Sequence, residues 1–140
     1  MITCYQIQKQ RNVQVATDDQ ANWIRVQSPL PQELQTLATK YGLPKTYVDA
    51  ALDQHENARV EGLNPADDVP GLIVLRYPIE MTNEMGFRQF NTVPLTMILL
   101  ADRVITVMDH PLQAFDDLAE QKLSPKPEEF ALELLWRVLH

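Results

Sequence analysis

Apolar and polar residues alternate at the start of the chain. "TCYQIQ" (3–8) and "NVQVA" (12–16) carry the two-residue period of half-buried strands and predict an opening hairpin. "DDQAN" is a polar link, and "WIRVQ" (23–27) reads as a third strand that ends in the extended turn of "SPLP". The period then becomes helical. In "PQELQTLATKY" (31–41), Leu34, Leu37, Ala38 and Tyr41 recur at i, i+3, i+4 and i+7, one buried stripe. Pro31 suits the first helical position, where its missing N–H would have no partner. Gly42 supplies the positive φ that ends a helix. Pro44 opens a second helix, about 44–53, with Tyr47, Val48, Ala51 and Leu52 facing inward.

In the second half, "ARVEG" (58–62) reads as a short strand and "LNPADDVP" as a loop. "GLIVLRYPI" (71–79) is almost continuously apolar, as in a central strand covered on both faces. "EMTNEMGFR" (80–88) predicts a long, flexible hairpin loop, and "FNTVPLTMILL" (90–100) a further buried strand. "VITVM" (104–108) follows so closely that these two are expected to pair as a hairpin. "DHPLQAFDDLAEQKL" (109–123) predicts a helix entered at Pro111, capped by Asp109 or His110, with Leu112, Phe115, Leu118 and Ala119 inward. "SPKP" breaks it. A last helix starts near Glu128; Phe130, Leu134 and Val138 share one line, and Leu132, Leu135, Trp136 and Leu139 extend the apolar surface around it. That helix ends without a cap, which predicts a helix cut short and hence a fragment.

The order β-β-β-αα-β-β-β-β-α-α predicts an α+β fold. We expect an α/β/α sandwich whose mixed, largely antiparallel sheet of six or seven strands carries helices on both faces. The 140 residues suit one domain spanning 1–140. A 45% hydrophobic content with 7% aromatics argues against disorder. With 12 basic and 19 acidic residues the net charge is −7, which argues against nucleic-acid binding. The single cysteine, Cys4, excludes an intrachain disulfide, fits a reducing compartment and has no neighbouring base in sequence. No apolar run approaches the ~20 residues of a membrane-spanning helix, so the chain as given is expected to be soluble.

Candidate chemistry is sparse. "DQHENARVEG" (53–62) contains His55-Glu56, but a zinc peptidase needs a second His one helical turn on, and that residue is Arg59. The plain reading is a helix end, where Asp53, Glu56 and Arg59 bond to loose backbone groups or to each other. The four glycines are scattered, so no phosphate loop exists, and no Ser sits in a nucleophile elbow. The acid pairs Asp18-Asp19, Asp67-Asp68, Asp116-Asp117 and Glu128-Glu129 read as solvated faces. Mg²⁺ keeps several waters and needs only one or two carboxylates, so its sites are nearly invisible in a sequence. The residues favour a binding or regulatory protein over an enzyme.

Several stretches, in order, resemble one family. Trp23-Ile24, Pro29, Gly42-Leu43-Pro44, Leu52-Asp53, Glu56 and Arg59-Val60-Glu61, then "LIVLRYPI", "FNTVPLTMILLADRVITVMDHPLQAFDDL" and "FALELLWRVLH", are similar to the N-terminal cytoplasmic domain of CorA-type magnesium/cobalt transporters over roughly residues 20–140. Asn57-Ala58 stand where that family often has Arg-Pro. The resemblance implies a pentameric inner-membrane channel for Mg²⁺ that also passes Co²⁺ and Ni²⁺. Its cytoplasmic domains bind regulatory Mg²⁺ between subunits. It further implies a fragment that stops before the stalk and transmembrane helices, a soluble piece of a parent integral to the membrane, and a monomer or weak oligomer in isolation. The family's sensing acids lie near the end of the second helix: Asp49 matches the first, Ala50 replaces the second, and Asp53 lies one turn on. Asp49 and Asp53 are therefore the implied metal-binding residues of a weak, incomplete Mg²⁺ site. The alternative is a free-standing soluble domain that binds a ligand or metal, with the same fold and no channel.

Overall fold

The computed structural model describes residues 1–8, 12–64, 69–110, 115–117 and 123–139. The strands are β1 (Ile2–Ile7), β2 (Asn12–Val15), β3 (Trp23–Gln27), β4 (Arg59–Glu61), β5 (Gly71–Thr82), β6 (Arg88–Leu99) and β7 (Val104–Met108). A 3-10 turn covers Asp18–Gln20, and the helices are α1 (Pro31–Tyr41), α2 (Lys45–Leu52) and α3 (Pro127–Leu139). Residues 115–117 are also helical. The strands form one sheet in the order β2-β1-β3-β7-β6-β5-β4. Every neighbouring pair is antiparallel except β3 with β7. The sheet is therefore mixed and largely antiparallel, as its sequence predicts.

Alternation along each strand divides the core into two layers. On one face Trp23, Leu75, Tyr77, Val93, Leu95, Met97 and Met108 pack with Phe115, Phe130, Ala131 and Leu134. On the other, Ile24, Val26, Leu72, Val74, Ile98, Ile105 and Val107 pack with Leu34, Leu37, Ala38, Tyr47 and Val48. Helices thus cover both faces, the expected α/β/α sandwich. Trp23 anchors the first layer. It stacks on Tyr5 at 4.8 Å, meets Phe130 at 5.2 Å and Phe115 at 6.3 Å, and donates its indole N–H to Thr106 Oγ1 at 3.0 Å.

The parallel β3–β7 pair joins two antiparallel halves, from Trp23 opposite Val104 to Gln27 opposite Met108. Ser28 extends the seam. Its N–H donates to Met108 O at 2.8 Å and its hydroxyl to Asp109 O at 2.7 Å. These two bonds hold it at φ 48°, a left-handed conformation unusual for a residue other than glycine.

α1 begins at Pro31, and Glu33 accepts the Leu30 N–H at 2.9 Å, the returning half of a capping box. It ends at Gly42, φ 66°, whose successor Leu43 donates to Ala38 O at 3.0 Å. α2 turns Tyr47, Val48 and also Ala50 into the core, with Ala51 and Leu52 half-buried beside them. Ala50 lies further inside than the expected stripe implies.

Two expectations need correction. The apolar strand β5 is not central, because only β4 lies outside it; β7, buried at every position, holds the middle. The segment 80–88 is not a long loop. β5 and β6 remain paired from Gly71 opposite Leu99 to Thr82 opposite Arg88. Asn83 makes the tight turn possible: its Oδ1 accepts the N–H groups of Met85 (3.0 Å) and Phe87 (2.9 Å), and Gly86 takes φ 81°. The outer stretch of this hairpin projects as an arm past the last β6–β7 pair, Leu95 with Met108. Pro94 stands just beyond that pair and Pro78 further out, on strands flanked on one side only, where a missing N–H is tolerated. The expected helix over 109–123 falls mostly outside the described residues, including Leu112, Leu118 and Ala119; Phe115 is buried as expected.

Ile105 is fully buried on the central strand. Ile105→Ala is expected to lower unfolding stability by about 2–5 kcal/mol in urea titration, whereas Val60→Ala on the exposed edge should change it by less than about 0.5 kcal/mol.

Candidate functional site

The α2 exit is the region the sequence singles out. With Tyr47, Val48 and Ala50 inward, helical phase sends Asp49 and Asp53 outward, one turn apart, and both are exposed. Asp53 closes the helix: its N–H donates to Ala50 O at 3.3 Å, and its Oδ1 accepts the His55 N–H at 2.9 Å. The carboxylate therefore stabilises the turn that follows α2 while leaving its other oxygen to solvent. Ala50 is 1% exposed. A carboxylate there would be desolvated against the sheet without a partner, which accounts for a small apolar residue at that position.

Two arginines fix the chain after α2. Arg59 Nη1 pairs with Glu56 Oε1 at 2.8 Å, and its Nε lies 3.5 Å from Glu61 Oε1. The helix-end reading of "DQHENARVEG" is correct, and the residue one turn after His55 is committed to a carboxylate. Arg76 on β5 has four donor contacts: Nη1 with Gln54 O (3.2 Å) and Glu56 O (3.0 Å), Nε with Thr92 Oγ1 (2.9 Å) and Nη2 with Thr92 O (2.6 Å). One guanidinium thus ties the α2 exit to the root of the arm.

Among the described residues no group of three or more His, Cys, Asp or Glu side chains is placed to hold a metal ion. Asp49 is exposed on α2 and Asp53 just past its end. A hard cation such as Mg²⁺ needs about six oxygens, more than two carboxylates could supply.

A second polar cluster, whose partners the sequence does not reveal, lies where the 3-10 turn, the end of α1 and the β6–β7 turn meet. Lys40 Nζ pairs with Asp18 at 2.7 Å and Asp19 at 2.8 Å. The Tyr41 hydroxyl donates to Asp18 and accepts from Arg103 Nη1 at 2.8 Å, while the same Nη1 donates to Asp18 O at 3.0 Å. Arg103 also pairs with Asp102 at 3.1 Å and lies 4.9 Å from the Tyr41 ring centroid. Burial works to raise the Asp18 carboxyl, but the hydrogen bonds from Lys40 and Tyr41 outweigh it and hold the group below its ordinary range. Burial, then the Asp18 hydrogen bond, pushes Tyr41 up to about 12, so it stays a donor. The Arg103 hydrogen bond holds Asp102 down. Every charge here has a counter-charge, so the cluster is a fastening between elements and offers no free ligand. The pair Asp18-Asp19 ahead of a Trp-led strand, with Lys40 in the last turn of α1, is the only sequence signal for it.

A third pair is deeper. Arg25, 6% exposed, donates to Asp116 Oδ1 at 2.9 Å and lies 5.5 Å from the Phe115 ring centroid. Cys4 is buried, and burial first, with Asp18 adding, pushes its thiol up, away from nucleophilic character. No helix among the described residues is long and apolar enough to cross a membrane.

A family model described as CorA-like Mg²⁺ transporter protein matches residues 18–140. The soluble domain of CorA from Methanocaldococcus jannaschii aligns with a TM-score of 0.66 at 19% identity, over 99% of this chain and 54% of that one. The complete CorA magnesium transporter from the same organism gives 0.57 at 18% identity, over 84% and 35%. The full-length CmaX protein gives 0.66 at 20% identity, over 100% and 44%. At such identities the likeness is one of fold. This chain spans between 35% and 54% of the length of these proteins. No curated protein sequence matches it.

Because the folded-state pKa of Asp18 is depressed, the stability it confers is present at neutral pH and is lost as pH falls below about 4 through that pKa. Asp18→Ala is expected to cost about 1–3 kcal/mol at pH 7. The gap from the wild type should narrow at pH 3, as urea unfolding at the two pH values will read.

Proposed function

This chain belongs to the CorA-like Mg²⁺ transporter family, and on that premise we propose that it is the soluble regulatory domain of a divalent-cation transport channel. The match over residues 18–140, on a sandwich that also aligns with the soluble domain of CorA, is the observation that carries this reading. In the proposed parent, copies of the domain form a homo-pentamer at the cytoplasmic face of the membrane. Stalk and transmembrane helices outside this chain supply the pore for Mg²⁺ and Co²⁺. The fragment itself does no chemistry and conducts nothing.

Regulation follows from electrostatics. A divalent ion shared by carboxylates of two adjacent subunits offsets their mutual repulsion and holds the ring together. Losing the ion frees the subunits to separate and biases the channel toward looser, open states. From this chain Asp49 on α2 and Asp53 at its C-terminal end, both exposed, supply the oxygens. With Ala50 buried and apolar, the domain carries half of a sensor, and the neighbouring subunit supplies the rest.

Two measurements test this. Titration calorimetry of the 140-residue chain should give only weak Mg²⁺ binding, with a Kd of about 1 mM or above, abolished in Asp49→Asn/Asp53→Asn. A saturable micromolar site on the monomer would overturn the half-sensor. The gene that encodes this chain should restore growth of Mg²⁺-uptake-deficient cells in low Mg²⁺; failure of the expressed protein to do so would overturn transport.

A further inference from the structure

We propose that the β5–β6 arm is a self-association surface that takes a second copy of this chain, arm against arm. Beyond Arg76 and Pro94 the two strands pair with each other, out to Thr82 opposite Arg88. Among the described residues the outer edge of each has no strand beside it: β4 reaches β5 only at Leu72–Val74, and β7 reaches β6 only from Leu95 onward. A two-stranded ribbon is marginal in water, and its open edges are templates for another strand.

The arm also carries apolar surface that its own fold leaves uncovered. Met81 is 42% exposed, Met85 80%, Phe87 66% and Phe90 72%. Residues opposite each other across a ladder share a face. Met81, opposite Gln89, lies on the face of Tyr77 and Val93; Phe90, opposite Glu80, lies on the other; Met85 and Phe87 form the tip. The apolar surface therefore wraps around the end of the ribbon. These four side chains expose roughly 500 Å² per copy. From these side chains two copies could bury at most roughly 1,000 Å², the size of a weak, transient contact.

Charge selects the occupant. The chain carries a net −7, so copies repel over most of their surface. Over 79–92 the only charged residues are Glu80, Glu84 and Arg88, and Arg88 pairs with Glu80 at 3.0 Å. The arm is therefore a nearly neutral, apolar place where two acidic molecules meet at least electrostatic cost. An anionic lipid surface would meet the acidic chain broadly, whereas arms that project past the last β6–β7 pair let two copies touch with their acidic bodies apart. Edge-to-edge pairing of two arms would make a four-stranded ribbon, satisfy the open backbone groups along one edge of each arm and bring the exposed apolar side chains of the two copies side by side. This contact is independent of the transport reading.

Sedimentation equilibrium of the 140-residue chain from about 10 μM to 1 mM tests it. A monomer–dimer equilibrium is expected. Phe87→Ser/Phe90→Ser should raise the dimer Kd roughly tenfold or more, and Leu132→Ser, on the exposed side of α3, should leave it unchanged. All three positions are exposed, so the far-ultraviolet spectrum and melting temperature of the variants should match the wild type. Amides of 79–82 and 88–92 should gain exchange protection as wild-type concentration rises, a readout needing no variant. A chain monomeric throughout, a dimer indifferent to the Phe87/Phe90 change, or no concentration-dependent protection of the arm overturns the proposal. So does arm-dependent binding to phosphatidylcholine vesicles by a chain monomeric in solution, which would assign the arm to lipid.

Discussion

The parallel contact between β3 and β7 is the constraint on which the sandwich rests. Each half of the sheet is made of antiparallel neighbours, but nothing except this seam makes the halves one sheet. The seam joins residues about eighty positions apart, so its closure must be repaid by burial. Trp23 and Thr106 supply part of that repayment on one face, and Ile24, Val26, Ile105 and Val107 supply it on the other. Ser28 extends the seam by two hydrogen bonds to the end of β7, at the cost of a left-handed backbone. Once the seam is closed, α1 and α2 have a continuous surface to cover, and so do Phe115 and α3.

Charge is placed in relation to that frame. Asp49 is exposed on α2, and Asp53 is exposed just past its end, where it accepts the His55 N–H. The acids nearer the seam are occupied: Asp18 with Lys40 and Tyr41, Asp116 with Arg25. The basic residues that fasten the elements together thus neutralise the acids beside the seam, and the buried Ala50 next to Asp49 keeps the inner side of α2 apolar.

Legibility in the sequence followed the range of the interaction. The stripe Leu34-Leu37-Ala38-Tyr41 and the Gly42 stop depend on neighbours within a helical turn, so periodicity finds them. The outward phase of Asp49 and Asp53 follows from the same rule. The arm was missed because Asn83, Glu84 and Gly86 carry the composition of a loop; the turn is five residues of real turn chemistry, and the rest of the segment is held by its cross-strand partners. Arg25 was illegible for a different reason. A charged residue inside "WIRVQ" reads as the polar side of a half-buried strand, and the carboxylate that permits its burial lies 91 residues away. The Asp18 fastening depends likewise on Tyr41 and Arg103, 23 and 85 residues distant. The central place of β7 over β5 is a property of strand order, and hydrophobicity along a strand does not encode it.

Arg76 makes two distant surfaces mechanically one. Its guanidinium holds the carbonyls of Gln54 and Glu56, just past the acids of α2, and also Thr92 at the base of the arm. The residues that follow the acids of α2 and the base of the arm are thus fastened to the same side chain, and losing Arg76 would uncouple both at once.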